Sequence, residues 1–276
     1  MSHANEVRMA TWNIQSGGYA NYEITGEPVR ELAISNHVDQ LRDEDGVEGI
    51  ALVDAFGWRE RYGHDAFIAR HLGFQAARYV SLDDDRLNEM YGKSPGIVFA
   101  TDLPVHEFRE LDMETRQGLG VILNLGRYGL QVANVYLDDM IEDERMRQAR
   151  ALIASLEPGI PTILQGDFNT LRTDMSGASF GSRMRNFGVE ILARIMPSSP
   201  LGLSIKGMNE RSVIPFLESQ GFNDGDLLKR PTAPAKLPAF GIDYVLHNDA
   251  TGVDDLKLHQ EKSTSDHVSI SYRATF

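Results

Sequence analysis

Apolar positions along this chain follow two rhythms, short runs that suit strands and stretches at helical spacing. Val7 to Ile14 mixes β-branched and aromatic residues in a strand-like run, closed by Gly17-Gly18. Val29 to Leu41 suits a helix with Pro28 in its first turn. Gly49 to Val53, Gly-Ile-Ala-Leu-Val, reads as a strand buried on both faces. His64 to Leu72 is helical in pattern and stops at Gly73. Strand-like runs follow at Gly96 to Ala100, Gly118 to Leu125 and Leu130 to Leu137, with Gly126 to Gly129 as a hairpin connection. Glu142 to Leu156 is the clearest helix: Met146, Ala149, Leu152, Ile153 and Leu156 share one apolar face, and Pro158-Gly159 ends it. Thr162 to Gln165, Ile242 to Leu246 and Val268 to Tyr272 complete the strands. Leu171 to Gly207 breaks the rhythm around a short helix expected at Val189 to Ile195, and reads as an excursion over one end of the domain. Alternating strands and helices without a linker predict a single α/β domain over residues 1–276.

Composition narrows the function. Lys plus Arg total 27 against 40 Asp plus Glu, a formal charge of −13, which opposes broad electrostatic capture of nucleic acid. A local basic groove or bound divalent metals can offset an acidic average, so a nuclease stays open. The absence of cysteine excludes disulfides, thiolate zinc sites and cysteine nucleophiles. The first residues lack a signal-peptide apolar core, and no run approaches the roughly 20 apolar residues of a membrane helix. The expectation is a soluble, cytoplasmic protein without a transmembrane segment; the sequence gives no oligomeric state.

Three polar stretches carry candidate chemistry. Gly166-Asp167-Phe168-Asn169 follows the Thr162 strand, and on an extended chain Asp167 and Asn169 would face one site together. A carboxylate beside a carboxamide suits water activation, although Gly, Asp and Asn also build ordinary turns. Ser265-Asp266-His267 precedes the last strand, where a carboxylate can ligate metal and an imidazole can bind phosphate. Asn13, within Thr11-Trp12-Asn13-Ile14, is a lone carboxamide in an apolar strand and needs a partner, for which a backbone group or a metal would serve.

Taken in order, the N-terminal Trp-Asn, the central Gly-Asp-Phe-Asn, Gly241-Ile242-Asp243-Tyr244 and the C-terminal Ser-Asp-His resemble the endonuclease/exonuclease/phosphatase superfamily. The resemblance runs from Met9 to the end, supported by Lys93 to Phe99, Gly118 to Leu137 and Gly221 to Asp224. It implies an α/β (α+β) four-layer sandwich of two packed mixed β-sheets flanked by helices, with the site at one end of the sheets. It implies Mg²⁺ or Mn²⁺ held by Asn13, Asp54 and Asp266, and Asp167 activating or positioning water. Asn169 would orient the scissile phosphate, and His267 would bind a phosphate oxygen, steadied by Asp243. Phosphoryl transfer needs positioning and charge neutralisation, which these residue types supply. No serine-centred triad or glycine-rich phosphate loop competes.

The chain departs from the family pattern at two places. Val53-Asp54 stands where members carry Gln-Glu, so the ligand is shorter by a methylene and would need a closer backbone or a bridging water; Glu48 is the lesser substitute. Tyr136 stands where many members have His; this resembles the abasic-site endonucleases, yet Asp138-Asp139-Met140 lacks their Pro-Asn run. Tyr136 is carried as a catalytic candidate, its plain alternative being a core or rim residue. Arg145 and Arg147 read as helix-packing or solvated residues, while Lys93, Arg183, Arg185 and Lys206 are solvated loop residues or receivers of an anionic substrate. The leading expectation is hydrolysis of a small or lipid-linked phosphate ester. A nuclease is the alternative, and a binding descendant of the fold, supported only by Asp54, is a third.

Overall fold

Period-two alternation along the strands decides which side chains enter the middle of this molecule. The computed structural model describes residues 6–14, 27–82, 89, 95–139, 141–170, 212–224, 232–233, 241–260 and 265–276. The strands are β1 (Glu6–Asn13), β2 (Gly49–Val53), β3 (Ala76–Ser81), β4 (Gly96–Thr101), β5 (Val105–Asp112), β6 (Gln117–Leu125) and β7 (Tyr128–Tyr136). They continue with β8 (Thr162–Asp167), β9 (Phe222–Asn223), β10 (Asp243–Asn248), β11 (Gly252–His259) and β12 (Ser269–Thr275). Among the described residues the helices are α1 (Glu27–Asp45), α2 (Trp58–Tyr62), α3 (Asp65–His71), α4 (Glu142–Ser155) and α5 (Val213–Ser219).

Two mixed six-stranded sheets form, ordered β11-β12-β1-β2-β4-β3 and β5-β6-β7-β8-β10-β9. Their inner faces share one apolar layer, including Met9, Val53, Phe99, Val132, Ile163, Val245 and Tyr272. The outer face of the first sheet packs Trp12, Leu52 and Val98 under α1 and α3 through Ile34, Leu41, Ile68 and Ala69. The outer face of the second packs Val135, Leu164 and Tyr244 under α4 and α5 through Leu152 and Leu217. The result is the helix–sheet–sheet–helix sandwich that the resemblance implies.

The turns follow their residues. Gly126, with φ of +82°, and Arg127 close the β6–β7 hairpin between the paired Leu125 and Tyr128. Gly73, at φ +74°, follows the last turn of α3. The strands not anticipated from the sequence, β3, β5, β9 and β11, are all sheet edges. Edges carry charged and half-exposed residues, as in Val-His-Glu-Phe-Arg-Glu-Leu-Asp of β5, so the apolar run that marks an interior strand is missing. The short α2 lacks a full apolar stripe and was equally silent. Gly17-Gly18, Lys93, Arg183, Arg185, Lys206 and the Leu171 to Gly207 excursion with its expected helix lie outside the described residues. Among the described residues, no helix is long and apolar enough to cross a membrane.

The strand directions choose the functional end. β1 runs parallel to β2, and β7 parallel to β8, so these four strands finish at the same edge of the sandwich. Antiparallel β10 and β12 begin there. The carboxyl ends of parallel strands are where open sheets place their sites, because side chains emerge there without a covering crossover.

Candidate active site

Three of the four strands ending at this edge, β1, β7 and β8, deliver a polar side chain on the inner face, and Asp54 follows the end of β2. In β8, Ile163 and Val245 of β10 lie in the inter-sheet layer, so Asp167 and Asp243 share that side. The register pairs Asp243 with Asp167, and Tyr136 with Asp167. Met9 on β1 faces the same layer, which puts Asn13 there as well. Asn13 and Asp243 are each 3% exposed and Asp167 1%, so these groups must satisfy one another.

They do so through a continuous network. Asn13 Nδ2 donates to Asp167 Oδ2 at 2.9 Å. The Asn169 backbone N–H donates to Asp167 Oδ1 at 2.8 Å, and its Nδ2 donates to the Leu137 carbonyl at 2.9 Å. His267 Nδ1 lies 2.9 and 3.1 Å from the two Asp243 oxygens. Its Nε2 lies 3.9 Å from Asp167 Oδ2 and 3.5 Å from Asp266 Oδ1. An imidazole bound to a carboxylate through Nδ1 presents Nε2 to the site in a fixed direction.

The route by which Asp167 and Asn169 meet differs from the sequence argument. β8 ends at Asp167, and Asn169 sits at φ +49°, so the two do not share an extended strand. A side-chain-to-backbone turn joins them instead, and Asn tolerates the left-handed conformation it requires. Asn13 likewise finds its partner in the Asp167 carboxylate. An amide ligates a hard cation through oxygen, so this donation leaves that role compatible.

Asp54 lies at the end of β2, 5% exposed and at φ +64°. It is close enough for its charge to bear on Tyr136. Asp266 is the most open of the candidates, its side chain 39% exposed. Tyr136 is half-buried, and burial together with the Asp54, Asp139 and Asp167 charges pushes its phenol well above the usual tyrosine range. Burial pushes the Asp167 carboxyl up to about 7, with the Asp243 charge adding; His267, Asn169 and Asn13 offset part of this. Burial by itself would push the His267 imidazole down, but Asp243, with Asp167 and Asp266 behind it, lifts it to about 10.

Residues given no role of their own in the sequence reading hold these groups in place. Ser265 Oγ donates to the Asn13 carbonyl at 2.5 Å and accepts from the His267 N–H at 2.9 Å. Trp12 Nε1 donates to the His267 carbonyl at 3.1 Å. The buried Thr232 hydroxyl accepts the Ile242 and Asp243 N–H groups at 3.3 Å each, and its carbonyl accepts Val268 N–H at 2.9 Å. These links stitch the His267 segment to β1 and β10. Arg145 is fully buried in a 2.8 Å pair with Glu142 and also donates to the Asp138 carbonyl at 2.7 Å, so it packs the base of α4. Arg147 is half-exposed beside Glu144.

Asn13 and the buried Asp167 and Asp243 carboxylates crowd one another here, with Asp266 3.5 Å from His267 Nε2 and the Asp54 charge bearing on Tyr136. The crowding fits a divalent cation, which prefers oxygen ligands and relieves the repulsion. Asp167, Asp243 and His267 also bring ligand atoms within 4.8 Å of one another. The contact to Asp243 occupies His267 Nδ1, so a metal at this trio would either displace that contact or take Nε2.

No protein-family model and no curated protein matches the sequence. Solved structures do match over nearly its whole length. An endonuclease/exonuclease/phosphatase from Beutenbergia cavernae superposes with a TM-score of 0.66 at 17% identity, covering 99% of this chain and 72% of that one. The chain has the endonuclease/exonuclease/phosphatase fold. A mannosyl-6-phosphatase from Bacteroides thetaiotaomicron with this fold gives a TM-score of 0.60 at 13% identity, covering 98% of this chain and 100% of that one. A 3′ phosphatase from Neisseria, bound to a product DNA hairpin, gives 0.61 at 12% identity, covering 96% and 98%.

Proposed function

We propose that this protein is a divalent-metal-dependent hydrolase of phosphate esters, acting on a small or lipid-linked substrate. The observation that carries the reading is the buried network Asn13–Asp167–Asn169 facing the Asp243–His267 pair at the carboxyl ends of parallel strands. Asn13, Asp54 and Asp266 would hold Mg²⁺ or Mn²⁺, which supplies charge neutralisation at the phosphoryl oxygens when bound.

The chain's own groups do the rest. Asp167, lifted to about 7, is suited to take a proton from the attacking water near neutral pH. Its two oxygens are oriented by Asn13 Nδ2 and the Asn169 N–H, so the carboxylate does not rotate away. His267, kept cationic by Asp243, donates through Nε2 to a phosphoryl oxygen. Tyr136 stays protonated and is a second donor. The water oxygen bonds phosphorus as the opposite ester P–O bond breaks, the water proton passes to Asp167, and solvent protonates the departing oxygen.

The mannosyl-6-phosphatase with this fold and the charge of −13 support a small substrate. The Neisseria 3′ phosphatase with its DNA hairpin supports the second reading, a nuclease. The test is hydrolysis of bis-nitrophenyl phosphate, nitrophenyl phosphate, an inositol phosphate, a phospholipid, plasmid DNA and single-stranded RNA with Mg²⁺, Mn²⁺ and EDTA. Metal-dependent turnover lost in Asp167→Ala supports the hydrolase, and the preferred substrate chooses between the readings. No turnover, with no metal-induced rise in melting temperature, shifts the reading to a binding descendant of the fold.

A further inference from the structure

We infer that Arg116 is a positioning residue of this site, aiming Tyr136 directly and Asn169 through the shared Leu137 carbonyl; the inference rests on the hydrolase reading above. Arg116 immediately precedes β6, and carrying the hairpin register past Leu119 and Asn134 sets it opposite Leu137. Its Nη1 donates to the Leu137 carbonyl at 2.7 Å and lies 3.3 Å from the Tyr136 carbonyl. Its guanidinium carbon sits 5.0 Å from the centre of the Tyr136 ring. Nη2 lies 3.6 Å from Asp138 and 3.5 Å from Asp139.

The Leu137 peptide is therefore held from several sides. Its carbonyl accepts from Arg116 and from Asn169 Nδ2, and its N–H donates to the Asp167 carbonyl at 3.0 Å. A carbonyl has two acceptor directions, so displacing the guanidinium loosens the carboxamide that shares the oxygen. Arg116 is 2% exposed, so it acts on substrate through these neighbours rather than by contact. A buried cation is also a poor choice for stability alone, because well-packed apolar residues of similar volume serve as well or better. What only the planar fork supplies is direction: a donor to Leu137 with the cation held against the Tyr136 ring.

Arg116→Lys keeps the charge and loses the fork. With the best ester from the panel, it is expected to lower kcat on the order of 10–100-fold while KM stays within about threefold. In Tyr136→Phe and in Asn169→Ala backgrounds the same change should be smaller than in the parent, because one of its two targets is gone in each. Full multiplicative losses in both backgrounds, or a kcat loss no larger than the loss of folded protein, overturn the inference. If the unsubstituted protein hydrolyses nothing, the hydrolase reading fails by itself, and the positioning claim is read from Asn169. Arg116→Lys should then speed exchange of the Asn169 carboxamide protons about tenfold in the metal-free protein, and unchanged exchange overturns it.

Discussion

Gly166 is the residue on which the geometry of the site leans most. It lies within β8, one step before Asp167, at φ +129°, a conformation that L side chains rarely adopt. A Cβ there would stand 2.1 Å from the Val135 carbonyl oxygen of the neighbouring strand. The backbone strain costs about 1–3 kcal/mol, and forcing extra volume into a packed ladder a further ~1–3 kcal/mol. Gly166→Ala is therefore expected to lose about 2–6 kcal/mol, a large share of the roughly 5–15 kcal/mol that holds a domain folded. The assay is urea unfolding followed by far-ultraviolet circular dichroism, with turnover measured in parallel. Gly129→Ala on the adjacent β7 is the control: its Cβ would meet nothing nearer than 3.7 Å, and its φ carries no left-handed demand. That variant should be neutral or stabilised by up to about 1 kcal/mol. Because Val135 pairs with Gly166 and Tyr136 with Asp167, the wedge should also lower turnover in the surviving folded protein. A Gly166→Ala protein within about 0.5 kcal/mol of the parent, or one no worse than Gly129→Ala, refutes the reasoning.

Other expectations concern the polar groups themselves. Asp167→Asn should abolish turnover yet stabilise the metal-free protein at pH 8 by about 1–3 kcal/mol. The sign follows from a carboxyl lifted from 3.8 to about 7: the folded state binds the extra proton between those values, so stability falls as pH rises and stays reduced above 7. A less stable Asp167→Asn protein at pH 8 would contradict the burial cost. For His267, lifted from 6.5 to about 10, the stabilisation is complete below 6.5 and is lost as pH rises towards 10, with a slope of at most about 1.4 kcal/mol per pH unit. Asp243→Asn removes the main attraction and should flatten that slope in metal-free urea unfolding; an unchanged slope would assign it elsewhere. Asp54→Glu should keep or raise turnover while costing up to about 1–2 kcal/mol, since Asp tolerates φ +64° better than Glu. An inactive Asp54→Glu protein whose melting temperature ignores metal would place Asp54 outside the metal site.

The sequence by itself determined the interior of the sandwich. Interior strands are covered on both faces, so Gly-Ile-Ala-Leu-Val of β2 and the run in β7 announce themselves by composition. Gly126 marked the hairpin, and the ordered Trp-Asn, Gly-Asp-Phe-Asn and Ser-Asp-His stretches marked the polar residues that gather at one end. These signals are local, which is why one chain suffices to read them. Edge strands are stabilised by a neighbour on one side only and carry charge against further pairing, so β3, β5, β9 and β11 had no local signature.

Only the tertiary structure decided how the gathered residues face one another. Asn13 meets Asp167 across the two sheets, 154 positions apart, and no periodicity in either strand encodes that distance. Asn169 reaches Asp167 by a turn at positive φ, where extended geometry was the natural reading. Arg116 was invisible as chemistry because an arginine before a strand looks solvated; hairpin register buries it under Tyr136. The physical reason is common to all three. Local propensity fixes which residues form an element, but partners across sheets are chosen by register and burial, which exist only once the layers have packed.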